Sequence, residues 1–463
     1  MNDVMTGHRL NPTILREYDI RGVIGETLAP DDAQAIGRSF ATLVREAGGR
    51  RVAVGRDGRL SSPELEAALV AGRRGAGADV VRNGLGPTPM LYYAVNTLEV
   101  DGGLMVTGSH NPANYNGFKL MLGKKSFFGA AIARLGEIAA GGRFASGAGK
   151  VEDRSVFAPY VERLLRDYSG GRALSVAWDA GNGATGEVLQ ALTKRLPGRH
   201  IRLNDTIDGN FPAHHPDPTE PKNLVQLQDA VAREKCDLGI AFDGDGDRIG
   251  VVDGKGRILW GDQFMVVLAE EIIRAKPGAI IVADVKASQC LFDEIARLGG
   301  TPLMWRTGHS LIKAKMLEVG APLAGEMSGH IFYADRYYGY DDALYAAIRL
   351  LAILARGTEA LSDLRDRMPA VVNTPELRFP CDEARKFQVV DEVRQRLKRA
   401  GAEMIDIDGV RVKTAEGWWL LRASNTQDVL VARAEAKDAL GLARLKDAIS
   451  GELRACGIAP PKF

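Results

Sequence analysis

Short apolar runs alternate with helix-like segments along most of this chain. Three of these runs, beginning at residues 51, 174 and 279, read as buried strands, and after the first of them Ser62 and Pro63 predict the N-cap and first residue of a helix. Each of the three strands leads into an aspartate, namely Asp57, Asp179 or Asp284. Alternating strands and helices are typical of parallel or mixed sheets covered by helices. The recurrence of strand, aspartate and turn predicts three related α/β units.

The length of 463 residues exceeds what one hydrophobic core can organise, so we expect two to four domains. A glycine-rich stretch at 141–149 and a turn at 253–256 are candidate boundaries, and the pattern changes again near Pro369. The last segment combines alternating strands with an amphipathic helix that runs through Leu445. That combination predicts a small α+β domain at the end of the sequence.

Composition and charge argue against several classes of function. The formal net charge is +1, so no overall field favours nucleic acid or an anionic membrane. The sequence has no run of about 18 apolar residues and no apolar leader, which favours a cytoplasmic protein. Without a CxxC pair, neither a zinc site nor a disulfide framework is indicated. Reduced thiols are therefore expected at the four cysteines, Cys236, Cys290, Cys381 and Cys456.

A serine follows the apolar run at 104–106, in the sequence Thr-Gly-Ser-His-Asn-Pro at 107–112. The glycine and the Asn-Pro pair predict a turn, which places Ser109 at the carboxyl end of a strand. Open α/β sheets bind ligands at that edge, so the hydroxyl of Ser109 is a candidate carrier of a phosphoryl group. The alternative is that Ser109 and Asn111 only cap the next helix and that His110 is structural.

An acidic loop, Asp-Gly-Asp-Gly-Asp-Arg at 243–248, lies between two apolar segments that read as strands. Its three alternate carboxylates can converge on one hard divalent cation, since glycine permits a tight backbone path. Without a cation, three neighbouring carboxylates repel one another strongly. A calcium-binding EF-hand is excluded, because Arg248 occupies its glycine position and Gly254 its final glutamate position.

Two further segments carry groups that suit sugar and phosphate binding. Glu326, Ser328 and His330 offer a carboxylate, a hydroxyl and an imidazole for hydrogen bonding to sugar hydroxyls and for proton transfer. The segment Arg-Ala-Ser-Asn-Thr at 422–426 can cradle a phosphate. Taken alone, the first is equally consistent with a loop that caps a helix, and the second with a plain turn. The segment Gly-Arg-Asp-Gly-Arg at 55–59 is interpreted as structural.

Together these motifs closely resemble the α-D-phosphohexomutase superfamily, in the family's order, from Tyr18 to Thr426. The loop at 325–330 resembles the bacterial phosphomannomutase/phosphoglucomutase branch, because phosphoglucosamine mutases typically have glutamine where Met327 stands. The resemblance implies an α/β fold with four domains around a central cleft. The expected domains are three related α/β domains and a final α+β domain of the TATA-binding-protein type, at 1–154, 155–256, 257–368 and 369–463.

The resemblance also implies a role for each motif. Ser109 would be the phosphoserine, and it would bind Mg²⁺ together with Asp243, Asp245 and Asp247. The charge stabilisers and acid/base candidates around the transferring phosphoryl group would be Arg21, His110, Lys119, Arg248 and His330, with Lys119 and His330 moving protons. The residues that would line the cleft and contact substrate are Tyr18, Lys286, His309, Glu326, Ser328, Arg422, Ser424, Asn425 and Thr426.

By the same resemblance we expect an isomerase that interconverts the 1-phosphates and 6-phosphates of glucose and mannose. A hexose 1,6-bisphosphate would be its intermediate and activator, and the enzyme would be a monomer without nucleic-acid or membrane partners. The alternatives are a phosphoglucosamine mutase or other phosphosugar mutase, a phosphoserine phosphohydrolase, and a non-catalytic sugar-phosphate sensor. Two departures from the family pattern are Gln263, where arginine is common, and the pair Gln427 and Asp428 beside the phosphate loop.

Overall fold

The computed structural model describes residues 7–425 and 427–461. Within these residues the chain forms four β-sheets, each built from one continuous stretch of sequence. We refer to each sheet and its helices as a unit. None of the helices in this described part of the chain has the length and apolar character needed to cross a membrane.

The first unit has a sheet of seven strands. Its elements are β1 (Ile20–Val23), α1 (Pro30–Glu46), β2 (Arg51–Arg56), α2 (Ser62–Gly75), β3 (Asp79–Leu85), α3 (Thr88–Thr97), β4 (Gly102–Val106), β5 (Tyr115–Leu122), β6 (Lys125–Ser126), α4 (Ala130–Gly141) and β7 (Val151–Asp153). The strand order is β1-β5-β4-β2-β3-β7, and β6 pairs with β5.

The second and third units each have a sheet of five strands. The second contains α5 (Phe157–Leu165), β8 (Leu174–Asp179), α6 (Gly186–Thr193), β9 (Gly198–Leu203), α7 (Val225–Glu234), β10 (Leu238–Phe242), β11 (Ile249–Asp253) and β12 (Ile258–Leu259). The third contains α8 (Gly261–Ala275), β13 (Ile280–Asp284), α9 (Gln289–Arg297), β14 (Thr301–Trp305), α10 (His309–Val319), β15 (Leu323–Gly325), β16 (Ile331–Tyr333), β17 (Tyr340–Asp341), α11 (Ala343–Arg356) and α12 (Leu361–Asp366). The strand orders are β12-β11-β10-β8-β9 and β14-β13-β15-β16-β17.

The fourth unit is smaller and has a mostly antiparallel sheet. It contains β18 (Val372–Asn373), β19 (Leu377–Pro380), α13 (Glu383–Arg399), β20 (Met404–Ile405), β21 (Val410–Lys413), β22 (Gly417–Ala423), β23 (Val429–Ala436) and α14 (Ala439–Ala455). The strand order is β18-β23-β22-β21-β20, and β19 also pairs with β23. An antiparallel sheet with two long helices agrees with the α+β architecture expected here.

The first three units share one strand pattern. A central strand, β2, β8 or β13, pairs in parallel with β3, β9 or β14 on one side and with β4, β10 or β15 on the other. The next strand, β5, β11 or β16, then pairs antiparallel with β4, β10 or β15. The repeated pattern agrees with the prediction of three related units. It also places the loops at 107–114, 243–248 and 326–330 in equivalent positions.

One hydrophobic cluster joins the first three units. It includes Met90 on α3, Trp178 on β8, Leu268 on α8 and Leu344 on α11, all at most 2% exposed. The fourth unit has a separate cluster around Trp419. The first three units therefore form one continuous body, whereas the fourth is attached to it through its surface.

Buried arginines make part of that attachment. The guanidinium of Arg411 donates to the carbonyl oxygens of Val285 at 2.6 Å and Ala287 at 2.7 Å. Arg433 donates to the carbonyl oxygen of Lys286 between them. Three consecutive carbonyls after β13 thus accept hydrogen bonds from the fourth unit. Val285 also packs in a buried apolar cluster with Trp418 and Leu420 of the fourth unit, so the junction is polar and apolar together.

The start of α2 corrects one prediction. The helix begins at Ser62 and its N-cap residue is Ser61, so the prediction of Ser62 as the N-cap is wrong by one position. The hydroxyl of Ser62 instead donates to Asp57 Oδ1 at 2.5 Å. Asp57 is therefore anchored between the end of β2 and the start of α2.

We expect Leu344→Ala to lower the free energy of unfolding by about 2–5 kcal/mol, because it empties a fully buried position in the shared cluster. Leu317 on α10 is 72% exposed and serves as the matched control. Leu317→Ala should change the same quantity by less than about 0.5 kcal/mol. Urea unfolding monitored by tryptophan fluorescence measures the free energy of unfolding of both variants. If the two substitutions lower it equally, Leu344 does not belong to a core shared by the three units.

Candidate active site

The three equivalent loops meet at one place. The hydroxyl of Ser109, in the β4–β5 loop, donates to Asp243 Oδ2 in the β10–β11 loop at 3.1 Å. At the end of that second loop, Arg248 Nε donates to His330 Nε2 of the β15–β16 loop at 3.0 Å. The sheet topology therefore assembles a serine, an acidic loop and an imidazole that are far apart in the sequence.

Ser109 has a left-handed backbone conformation, with a φ of +47°. This conformation costs a non-glycine residue roughly 1 kcal/mol or more, so surrounding contacts must hold it. One contact is local, because the Ser109 amide donates to Thr107 Oγ1 at 2.8 Å. Two glycines allow the close approach of neighbouring groups. A Cβ at Gly244 would lie 2.5 Å from the Ser109 carbonyl oxygen, and a Cβ at Gly108 would overlap Arg59.

The acidic loop is folded by one of its own carboxylates. Asp243 Oδ1 accepts hydrogen bonds of 3.0–3.1 Å from three amides of the loop, those of Gly246, Asp247 and Arg248. Asp245 Oδ2 accepts from Thr88 Oγ1, at the start of α3, at 2.5 Å. The first unit thus contributes to the position of a carboxylate in the second.

Lys119 on β5 faces the acidic loop. Its Nζ lies 2.7 Å from Asp245 Oδ2 and also contacts Asp247 Oδ2. Asp245 Oδ1 and Asp247 Oδ1 are buried without a hydrogen-bond partner among the described residues. One ligand oxygen from each of Asp243, Asp245 and Asp247 lies within 4.8 Å of the others. Buried carboxylate oxygens that lack partners fit a hard divalent cation such as Mg²⁺.

Burial dominates the electrostatics of this cluster. It raises the pKa of Asp243 well above its usual range, and the charges of Asp245 and Asp247 act in the same direction. Burial also acts to raise the pKa of Asp245, but the Lys119 charge and the hydrogen bonds from Lys119 and Thr88 together outweigh it and hold that pKa below its usual range. Burial acts to lower the pKa of Lys119, yet Asp245 and Asp247 outweigh it and the pKa is raised. Lys119 is therefore charged at neutral pH.

Arg21 and His110 lie beside Ser109. The guanidinium of Arg21 donates to the carbonyl oxygen of Thr107, just before the serine. His110 Nδ1 lies 3.2 Å from Ser109 Oγ. Burial, with the positive charges of Arg248 and Arg21, lowers the pKa of His110 well below its usual range. A neutral imidazole therefore lies beside the serine hydroxyl, and the Arg21 guanidinium contacts the loop just before it.

The third loop carries the predicted sugar contacts. Glu326 Oε1 accepts from the Gly308 amide at 2.6 Å, which joins this loop to the start of α10. His309 begins that helix, and its ring stacks on His330 with centroids 5.6 Å apart. Asp341 Oδ2 lies 3.1 Å from His330 Nδ1 on the far side. Both histidines and Glu326 thus share one wall.

Two other predicted residues of the third unit stand nearby. Ser328 is half-buried in the same loop as Glu326. Lys286, two residues after β13, is buried and its Nζ donates to Glu376 Oε2 of the fourth unit at 2.8 Å. Lys286 therefore lies where the third and fourth units meet.

Tyr18 links the first unit to the third and the fourth. Its hydroxyl donates to the carbonyl oxygen of Thr307 at 2.8 Å and accepts from Asn425 Nδ2 at 2.7 Å. Arg422, in the same loop region, pairs through Nε with Asp408 Oδ2 at 3.1 Å. The predicted phosphate loop at 422–425, including buried Ser424, therefore reaches the first unit. Thr426, also predicted to bind phosphate, lies outside the described residues.

The two departures from the family pattern have local roles. Gln263 Oε1 accepts from the Trp260 amide at 3.3 Å at the start of α8. The side chain of Gln427 accepts from Arg378 at 3.0 Å. Asp428 is exposed, so solvent screens its charge.

Asp57 and Arg59, from the segment at 55–59 that was interpreted as structural, both contact the Ser109 loop. Asp57 Oδ2 accepts from the Gly108 amide at 3.0 Å. Arg59 donates to the Ser109 carbonyl oxygen at 2.7 Å. A signal was available, because Asp57 directly follows β2 and Asp284 is the last residue of β13, so both stand at the end of a central strand. The equivalent positions of these two aspartates indicate that both have the same role in their units.

Comparison with known proteins agrees with this geometry. The family models for phosphoglucomutase/phosphomannomutase match in order along the chain. The α/β/α domains I, II and III match residues 12–137, 158–256 and 260–371, and the C-terminal domain matches residues 376–452. The chain belongs to the phosphoglucomutase/phosphomannomutase family. The predicted superfamily and its four-domain α/β fold are thereby confirmed, while the exact boundaries near 154, 256 and 368 stay predictions.

Individual members of the family are similar over nearly the whole length. The chain is 43% identical to the phosphomannomutase/phosphoglucomutase of Pseudomonas aeruginosa, with 96% of each chain covered. It is 41% identical to the phosphoglucomutase of Neisseria gonorrhoeae, covering 94% of this chain and 95% of the relative. A crystal structure of a family protein from Burkholderia thailandensis superposes with a TM-score of 0.93 at 45% identity, covering 98% of this chain and 100% of the other.

For this family member, Lys119→Met should lower the free energy of unfolding by about 3 kcal/mol in EDTA, because buried carboxylates lose their counterion. Added Mg²⁺ should recover more stability in the variant than in the wild type. Lys124 is exposed just after β5, so Lys124→Met should change the stability by less than about 0.5 kcal/mol. Urea unfolding with and without Mg²⁺ measures these values. If Mg²⁺ stabilises the wild type and both variants equally, Lys119 does not compensate the charge of these carboxylates.

Proposed function

We propose that this protein is a Mg²⁺-dependent phosphomannomutase/phosphoglucomutase. The observation that carries the proposal is the 3.1 Å hydrogen bond between Ser109 Oγ and Asp243 Oδ2, in a member of this family. A phosphoryl group on Ser109 Oγ would pass to the free hydroxyl of a hexose phosphate, giving a hexose 1,6-bisphosphate. After this intermediate reorients, its other phosphoryl group would return to Ser109 Oγ, and the isomeric monophosphate would leave.

Asp243, Asp245 and Asp247 would hold Mg²⁺ together with the phosphate on Ser109. Asp245 Oδ1 and Asp247 Oδ1 accept no hydrogen bond from the described residues, which supports this assignment, since carboxylates suit a hard ion. When bound, the ion would supply positive charge beside the transferring phosphoryl group. Lys119, which contacts two of the carboxylates, would add to that charge.

The protein's own groups would stabilise the charge that develops during transfer. Positioning and electrostatic stabilisation provide most of the acceleration in phosphoryl transfer. We assign this task to Arg21, Arg248 and Lys119, with neutral His110 as a hydrogen-bonding partner of the serine. Lys119 and His330 are the acid/base candidates. The raised pKa keeps Lys119 protonated, so its ammonium would serve as fixed positive charge beside the transferring phosphoryl group.

The substrate would lie between the third and fourth units. Glu326 and Ser328 would bind two ring hydroxyls, and Lys286 and His309 would line the same wall. The other phosphate would be held by the fourth-unit loop, and Tyr18 would line the cleft. The residues of that loop are Arg422, Ser424, Asn425 and Thr426. None of these residues is assigned to the hydroxyl at C2, so we propose that glucose and mannose phosphates are both accepted.

We further propose that the enzyme acts as a monomer in the cytoplasm, on free phosphosugars. The formal net charge of +1 supports the absence of nucleic-acid and membrane partners.

Phosphorus NMR tests the function. With a trace of glucose 1,6-bisphosphate, the enzyme should convert glucose 1-phosphate to glucose 6-phosphate. Mannose 1-phosphate should react with a kcat/KM within about tenfold, because none of the proposed substrate contacts is assigned to the C2 hydroxyl. Ser109→Ala should abolish both reactions, and peptide mapping should find phosphate on Ser109 in the wild type.

Ser175→Ala on β8, at the opposite end of its strand from the acidic loop, is the control and should keep full activity. Several outcomes would overturn the proposal. Release of inorganic phosphate would indicate a phosphohydrolase. Binding without turnover would indicate a sensor, and turnover of amino-sugar phosphates alone would indicate a phosphoglucosamine mutase.

Metal removal provides a separate test. EDTA should abolish turnover and Mg²⁺ should restore it. Asp245→Asn should weaken Mg²⁺ binding by roughly tenfold or more in calorimetry, because it removes a proposed ligand. Asp253→Asn is the matched control, since Asp253 is buried at the far end of β11 and pairs with Arg257. Undiminished turnover without metal would refute the assignment.

A further inference from the structure

The guanidinium of Arg59 lies against the backbone of the Ser109 loop. Its Nη2 donates to the carbonyl oxygens of Ser109 at 2.7 Å and Asn111 at 2.6 Å. Its Nη1 donates to those of Pro112 at 2.6 Å and Tyr115 at 3.0 Å. One side chain therefore satisfies four carbonyls along the loop. These hydrogen bonds fix the path of the backbone from the serine to the start of β5.

Asp57 orients this guanidinium and touches the same loop. Its Oδ2 lies 3.4 Å from Arg59 Nε and accepts from the Gly108 amide at 3.0 Å. Its Oδ1 accepts from the Arg59 amide at 3.0 Å. The carboxylate thus holds the loop amide before Ser109, while the arginine holds the carbonyls from Ser109 onward. Gly108 is required here, because any Cβ would overlap the guanidinium.

The second unit closes the other side of Arg59. The ring of Phe211 lies under the guanidinium, 5.0 Å from ring centroid to Cζ. Phe211 has a left-handed backbone with a φ of +51°. Gly209 packs so closely on the turn at 58–60 that a Cβ would lie 2.6 Å from the Leu60 amide nitrogen. Arg59 is 1% exposed, so it is fixed between the first two units.

We propose that Arg59 is a positioning residue that holds Ser109 in its left-handed conformation for phosphoryl transfer, with Asp57 orienting Arg59. The inference rests on the proposed function and deepens it. An arginine is needed because its planar, delocalised fork presents several donors in fixed directions, whereas a lysine ammonium cannot reach four carbonyls from one position. Without the fork, Ser109 relaxes toward ordinary backbone angles, and Oγ leaves its place beside Asp243.

The main test is Arg59→Lys, which keeps the charge and removes the fork. We expect kcat to fall by roughly 100-fold while KM stays within about threefold, because the reacting oxygen is misplaced and substrate contacts are kept. Single-turnover phosphorylation of Ser109 by glucose 1,6-bisphosphate should slow by the same factor. Arg56→Lys is the matched control. Arg56 lies three positions earlier and pairs with Glu66 at 3.2 Å, so this variant should behave as the wild type.

Chemical rescue separates positioning from a general loss of structure. A cavity of about 470 Å³ adjoins Arg59 and is also lined by Arg56, Leu60 and Ile207. Guanidinium ion at low millimolar concentration should enter Arg59→Ala by this route and recover part of kcat. Methylammonium carries the same charge without the fork and should not. Equal recovery with both ions, or with neither, would contradict the requirement for a planar donor.

Hydrogen exchange of the segment 107–116 tests, without reference to turnover, whether Arg59 holds the loop. Amides in this segment should exchange faster in Arg59→Lys than in the wild type or in Arg56→Lys. If the wild type lacks mutase activity, the proposed function fails, and the exchange result still tests whether Arg59 holds the loop. If the wild type is active and Arg59→Lys has unchanged kcat, Arg59 is not a positioning residue, whatever the exchange shows.

Discussion

Three buried carboxylates beside a serine hydroxyl are the constraint on which the rest of this structure depends. Asp243, Asp245 and Asp247 are each 0% exposed. Burying like charges together is strongly unfavourable unless positive charge lies close by. Part of that charge comes from another unit, since Lys119 stands on β5 of the first sheet. The cluster can therefore form only where the first and second units pack together, and the hydrophobic cluster that joins the first three units maintains this arrangement.

A repeated strand order brings the functional loops to this point. In the first and third units, the aspartate after the central strand helps to hold the loop of its own unit. Asp57 Oδ2 accepts an amide of the Ser109 loop at 3.0 Å, and Asp284 Oδ1 accepts an amide of the Glu326 loop at 3.1 Å. In the second unit the loop holds itself, through Asp243 Oδ1. The three units thus present the same edge of their sheets, and the side chains of the loop at that edge differ from unit to unit.

The sequence predicted the parts of the site that carry distinctive side chains and missed those that act on the backbone. Ser109 and the acidic loop were predictable, because turn residues after an apolar strand fix their place in an α/β fold. The task of Arg59 was not, since its partners are carbonyl oxygens that every residue possesses. Lys286 was expected to line the sugar wall, but a pairing with Glu376 across two units leaves no trace in local sequence. Charge pairs between distant segments depend on how the units pack together, and the periodicity of the sequence does not reveal that packing.

The fourth unit carries ion pairs that would let the proposed phosphate loop hold its substrate and still release it. This unit has its own hydrophobic cluster around Trp419, and a smaller cluster of Val285, Trp418 and Leu420 joins it to the third unit. Two cations at the junction already have carboxylate partners: Arg422 pairs with Asp408 at 3.1 Å and Lys286 with Glu376 at 2.8 Å. A proposed sugar phosphate that reaches these cations exchanges one anionic partner for another, so no buried cation is left unpaired when it departs. A bisphosphate that must turn around requires its non-reacting end to be released and bound again. Exchangeable ion pairs meet that requirement, whereas a cationic pocket without its own carboxylates would hold the intermediate too tightly to let it reorient.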